Sequence, residues 1–155
     1  MCDYSLMMAP SRLAVEGEEL VTHKFKSGSI GIVSCCDFDR WTTRRPRSFW
    51  QWLKDGFSSP NEPGPVVCIP PGARLQLIGI PETLKTEIST GLCEDVVFTQ
   101  ISADPNQHRD ALFFANGVTV LLQRLPEGQR LKVQWMSSLE DSTLHRDRSE
   151  IAQVA

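Results

Sequence analysis

Ala111-Leu112-Phe113-Phe114-Ala115-Asn116-Gly117-Val118-Thr119-Val120-Leu121-Leu122 is the stretch that decides the fold class. Residues 111–114 form a short apolar run, and residues 118–122 form a β-branched, apolar return run. Between them Asn116-Gly117 is a strong two-residue hairpin signal, because both residues tolerate positive φ. A second turn follows at Pro126-Glu127-Gly128. Leu131-Lys132-Val133-Gln134-Trp135 then alternates apolar and polar residues, as a strand with one wet face does. The expectation is a three-stranded meander at the C-terminal end.

The same logic carries upstream. Residues 20–25 alternate, with Leu20 and Thr22 on one face and Val21, His23 and Phe25 on the other. Short apolar runs at 30–33, 66–69, 74–78 and 96–101 are separated by Gly- and Pro-bearing turns. Short strands at this spacing predict a mainly β fold, a small antiparallel barrel or sandwich. Residues 47–56, RSFWQWLKDG, instead favour a helix, with Pro46 before its start and Gly56 at its end. Residues 37–65 therefore read as a short helical insertion. The organisation expected is one β domain over residues 1–136, with a polar tail over 137–155.

Composition sets outer bounds. The chain has 155 residues, 41% hydrophobic and 23% charged, with a net charge of −3. That fits a single globular domain and supplies no global basic field for nucleic acid or anionic lipid. No apolar run approaches a bilayer span, and MCDYSLMMAP lacks the basic and apolar regions of a signal peptide. Five cysteines without an export signal predict a cytoplasmic protein with reduced thiols.

The most pointed chemistry lies at Cys2. Removal of Met1 would place an α-amine and a thiol on one residue, a base beside a nucleophile or a two-point metal chelate. His108 and Asp110 are two apart, so in an extended chain they share a face, where a carboxylate can fix an imidazole tautomer. Cys2, His108 and Asp110 are thus the candidate catalytic set. Cys2, Cys68 and His108 are the candidate ligands for a divalent metal, although no Cys-x-x-Cys pair is present. A second His-Arg-Asp at 145–147 lowers the specificity of the tripeptide. Residues 40–54 hold five cations, no acid and three of the chain's four tryptophans. Arg44, Arg45, Trp50 and Trp52 there suit a protein partner or self-association.

MCDYSL at the start, residues 11–21, the His108–Phe114 strand entry and the Leu125–Arg130 turn resemble a small uncharacterised bacterial protein family. The resemblance covers most of the chain outside residues 37–65 and the tail, and it implies no particular activity. The Met-Cys start is also similar to class II glutamine amidotransferases, whose N-terminal Cys attacks an amide. Asp3 stands where that family has Gly, and the likeness ends after two residues.

Three functions follow as expectations. One is a binding protein holding a metal or small ligand through Cys2 with Cys68 and His108, and a partner through the Trp/Arg insertion. Another is an N-terminal-Cys hydrolase or transferase. The third is an interaction module without chemistry.

Overall fold

The computed structural model describes Leu6 and residues 9–43, 63–101 and 108–136. Among the described residues, nine strands and two short helices follow in chain order: β1 (Ser11–Leu13), β2 (Glu19–Lys24), β3 (Ile30–Ser34), α1 (Cys35–Thr43), β4 (Val66–Cys68), β5 (Arg74–Ile78), α2 (Glu82–Ile88), β6 (Cys93–Gln100), β7 (Asp110–Phe114), β8 (Thr119–Leu121) and β9 (Arg130–Trp135). Seven strands form one curled antiparallel half-barrel sheet, in the order β3-β2-β9-β5-β6-β7-β8. β1 and β4 form a separate two-stranded parallel ladder, with Leu13 opposite Cys68. The mainly β class read from alternation is the class observed.

The concave side of the sheet holds the main core. Leu20, Leu75, Leu77, Leu112, Phe114, Leu131 and Val133 are almost fully buried there. Each contributes roughly 1.5–3 kcal/mol through removal of its side chain from water. The two faces read for β2 are both present. Leu20 packs into this core, whereas Val21 and Phe25 join Leu6, Val33, Cys35 and Val66 in a second, smaller core on the opposite side.

The C-terminal meander is corrected. β8 pairs with β7, but β9 inserts between β2 and β5 and does not pair with β8. A 3-10 turn at Leu122–Arg124 ends β8, and the Pro126–Gly128 turn then carries the chain across to β2. There the Thr22 hydroxyl donates to Pro126 O (2.6 Å) and accepts from Gln129 N (2.9 Å). The Asn116-Gly117 turn also differs in kind. Gly117 has φ 85°, whereas Asn116 does not have positive φ. Phe114 N donates to Val118 O (2.9 Å), so the loop has three residues and ends on a left-handed glycine. Asn116 is occupied elsewhere: its Nδ2 donates to Ile88 O (2.6 Å), satisfying a carbonyl at the end of α2.

Both helices depart from the expected single helix over residues 47–56, which lies outside the described residues. α1 begins at Cys35, directly where β3 stops. Cys35 and Cys36 are therefore neighbours in the first turn of α1. α2 puts Leu84 and Ile88, one turn apart, onto the main core beside Ile80.

β1 is tied to the residue just before β2 by a part-buried bidentate pair. Arg12 Nη1 bonds Glu18 Oε2 (3.1 Å), Arg12 Nη2 bonds Glu18 Oε1, and Val15 N donates to Glu18 Oε2 (3.1 Å). The Arg12 hydrogen bond, reinforced by Val15 N–H, holds the Glu18 carboxyl below its ordinary pKa against the opposing effect of burial. A depressed folded-state pKa means stability present above the unfolded-state value and lost as pH falls through the folded one. Glu18→Gln is therefore expected to be less stable than wild type at neutral pH. The difference should shrink as pH falls below about 4. Chemical denaturation across that range checks it, and a pH-independent difference would contradict it.

Candidate functional site

Leu6, β3, β4 and β7 meet around a cavity of about 20 Å³, room for about one water molecule. Gly31, Cys68, Phe98, Asp110 and Leu122 are among its other lining residues. Gly31 makes the approach possible: a Cβ there would fall 2.6 Å from Leu6 Cδ1 and 2.8 Å from Phe25 Cε2. Leu6 is thereby seated in a notch in β3 and buried.

Two of the sequence candidates come together at this cavity. Asp110 is buried at the start of β7 and accepts a hydrogen bond from Gln100 Nε2 (3.0 Å), its partner across the β6–β7 ladder. Cys68 ends β4, and its carbonyl accepts from Ala14 N (3.0 Å). Cys68 is disulfide-bonded, where a reduced thiol was expected. In that state it has no thiolate to offer to an electrophile or a metal.

The other candidates are placed apart or not described. His108 is exposed and does not line the cavity. β7 begins only at Asp110, so the pleat that would keep 108 and 110 on one face does not extend to His108. Cys2, Arg44, Arg45, Trp50 and Trp52 lie outside the described residues. Cys35, Cys36 and Cys93 are free. Burial, the largest effect, pushes the Cys35 thiol pKa up, so it stays protonated. Among the described residues no group of three or more His, Cys, Asp or Glu side chains is arranged to hold a metal ion. Among them, too, no helix is long and apolar enough to cross a membrane.

Two features escaped the sequence reading. The first is His23, buried on the outer face of β2. Its Nδ1 lies 2.8 Å from Glu127 Oε1, and its ring meets Phe25, Phe38 and Trp41 edge-on at centroid distances of 5.0, 5.9 and 5.3 Å. Phe38 and Trp41 sit three apart on α1, so this cluster fixes the helix from which the Trp/Arg-rich segment continues. The available signal was the placement of His23 with Val21 and Phe25. It points to a cluster only once residues 35–43 are known to be helical.

The second is a row across the convex face of the sheet. Trp135, Arg74, Val97, Phe113 and Thr119 stand directly opposite one another in successive ladders of β9, β5, β6, β7 and β8. Trp135 is 39% exposed and Phe113 44% exposed, and the Arg74 guanidinium lies 5.9 Å from the Trp135 ring centroid. Simple alternation groups Trp135 with Leu131 and Val133 on the core face. A β-bulge breaks that register: Leu75 faces Val133, yet Arg74 faces Trp135, leaving Gln134 as the extra residue. The bulge turns Trp135 outward onto Arg74.

No protein-family model, no curated protein and no solved structure matches the chain.

Proposed function

We propose that the domain is a non-catalytic binding module that takes a protein partner across the convex sheet face, on Trp135, Arg74, Val97 and Phe113. The observation that carries this reading is the bulge between Arg74 and Leu75, which moves a tryptophan out of core register and beside an exposed arginine. Burying Trp135 would be the default for an alternating strand. Trp and Arg are also the side chains that dominate interface energetics. A protein partner suits the row better than nucleic acid does, since the row carries one cation and the chain a net charge of −3. The Trp/Arg-rich segment after α1 is a second contact in this proposal.

The double variant Trp135→Ala/Phe113→Ala tests it. The exposed row should change folding stability by no more than about 1 kcal/mol. Affinity for the protein recovered with the wild-type domain should fall at least about tenfold. Undiminished affinity in a folded variant would refute the proposal.

A second reading is supported by one observation, that Cys68 and Asp110 line the same cavity. A thiol at Cys68 would share that cavity with the buried Asp110 carboxylate, the residue types of a nucleophile and an acid–base group. That chemistry requires the disulfide to be open.

A further inference from the structure

We infer that the partner on the convex face is a second copy of this chain, packed face to face about a two-fold axis that runs along the strands between β5 and β6. The dimer rests on the sheet-face reading above and commits it to one occupant. From β9 to β7 the exposed row reads Trp135, Arg74, Val97 and Phe113. The two aromatic residues are therefore equidistant from the line between β5 and β6. Rotation about that line sets Trp135 of each copy over Phe113 of the other, and Arg74 over Val97. A two-fold interface needs this property, since every contact of residue i with residue j must recur as j with i.

The charges on this face follow the same symmetry. Two residues further along β5 and β6, Lys132, Gln76 and Asp95 form a second row across β9, β5 and β6. The cations Arg74 and Lys132 lie on β5 and β9, to one side of the axis. The acid Asp95 lies on β6, to the other side. Rotation lays Gln76 over Asp95 of the second copy and sets Lys132 one strand spacing, about 4.8 Å, beside it. Sheets packed face to face stand about 10 Å apart, a gap that a lysine and an aspartate side chain bridge together. Lys132 and Asp95 are both exposed, so each has room to meet its counterpart.

Curvature fits as well. Two convex faces touch at the axis and part away from it. The large rings of Trp135 and Phe113 stand where that gap widens, and the half-buried Val97 stands beside the axis where it is narrowest. From β9 to β7 the patch is three strand spacings wide, roughly 14 Å. A patch this narrow buries less than the about 1,200–2,000 Å² of a standard stable interface, so the dimer is weak and its population follows concentration.

Analytical ultracentrifugation of the full chain from about 5 to about 500 μM tests the dimer. Wild type should pass from monomer towards dimer across that range. Trp135→Ala should weaken association at least about tenfold. Asp95→Lys and Lys132→Asp should each stay monomeric alone, because each variant places like charges together at both symmetric contacts. Mixed in equal amounts, the two should associate as wild type does, since both Lys–Asp contacts are then restored between unlike copies. Damage to folding by either substitution would not be rescued by mixing. A wild type that stays monomeric throughout the range would overturn the dimer. So would a folded Trp135→Ala that associates normally, or a mixture that does not associate. The sheet-face reading survives a monomeric wild type if the Trp135→Ala/Phe113→Ala variant loses a recovered protein other than this chain.

Discussion

Thr22→Val is expected to lower unfolding free energy by about 2–4 kcal/mol, although the two side chains have nearly the same shape. Thr22 is completely buried, and its hydroxyl is both donor to Pro126 O and acceptor from Gln129 N. Valine leaves both backbone groups in the core without that partner, and each unmet buried group costs roughly 1–3 kcal/mol. The remaining Gln129 N–Pro126 O contact, at 3.4 Å, is too long to compensate in full. The loss falls where the chain crosses to begin β9, a point also held by Gln129 Nε2 on Ile78 O (2.7 Å) and Arg130 O (3.1 Å). Urea denaturation should show a lower midpoint with an unchanged slope. Amide exchange at Gln129 should accelerate more than exchange in β7. A loss below about 1 kcal/mol would mean that the turn re-pairs its own backbone.

Gln123→Ala is expected to cost about 2–3 kcal/mol by a different route. Phe25 N donates to Ser29 O just before β3, which places Gly31 and Val33 of β3 in the set bonded to β2. Ile30 belongs to the alternate set, so its N–H and C=O point to the open edge. The Gln123 amide meets both: Oε1 accepts from Ile30 N (2.7 Å) and Nε2 donates to Ile30 O (2.8 Å). A single side chain thus stands in for one residue of a missing strand between β8 and β3, the two edges of the half-barrel. Gln123→Glu should recover little, because a carboxylate offers no donor to Ile30 O. Equal stability of the alanine variant and wild type would show that water satisfies Ile30 equally well.

The strands were legible in the sequence because alternation encodes which face is buried, and residues 20–25, 74–78 and 131–133 alternate cleanly. What alternation does not encode is who lies next to whom. β9 follows β8 in the chain yet pairs with β2 and β5, a choice made by the Thr22 and Gln129 hydrogen bonds across the turn. The same limit hid the bulge at Arg74, since an extra residue is visible only against its partner strand. α2 carried weak local signals, Pro81 ahead of it and Leu84 and Ile88 four apart, in a helix of seven residues. At the cavity, Cys68 and Asp110 were legible as reactive residue types, and their shared location was not. Composition pointed to reduced thiols; the oxidised state of Cys68 depends on a sulfur brought near by folding.

The central position of β9 has a bearing on how the protein is made. Glu19, in β2, lies opposite Lys132, in β9, so the sheet joins early and late parts of the chain. During translation the β2–β3 hairpin and the β5–β8 block emerge as two fragments. Each presents a bare edge to solvent where β9 will later sit. Neither edge can be covered until residues 130–135 have left the ribosome, and long-range pairings of this kind are slow to form even then. Closure of the seven-stranded sheet is therefore a late step that waits on residues 130–135.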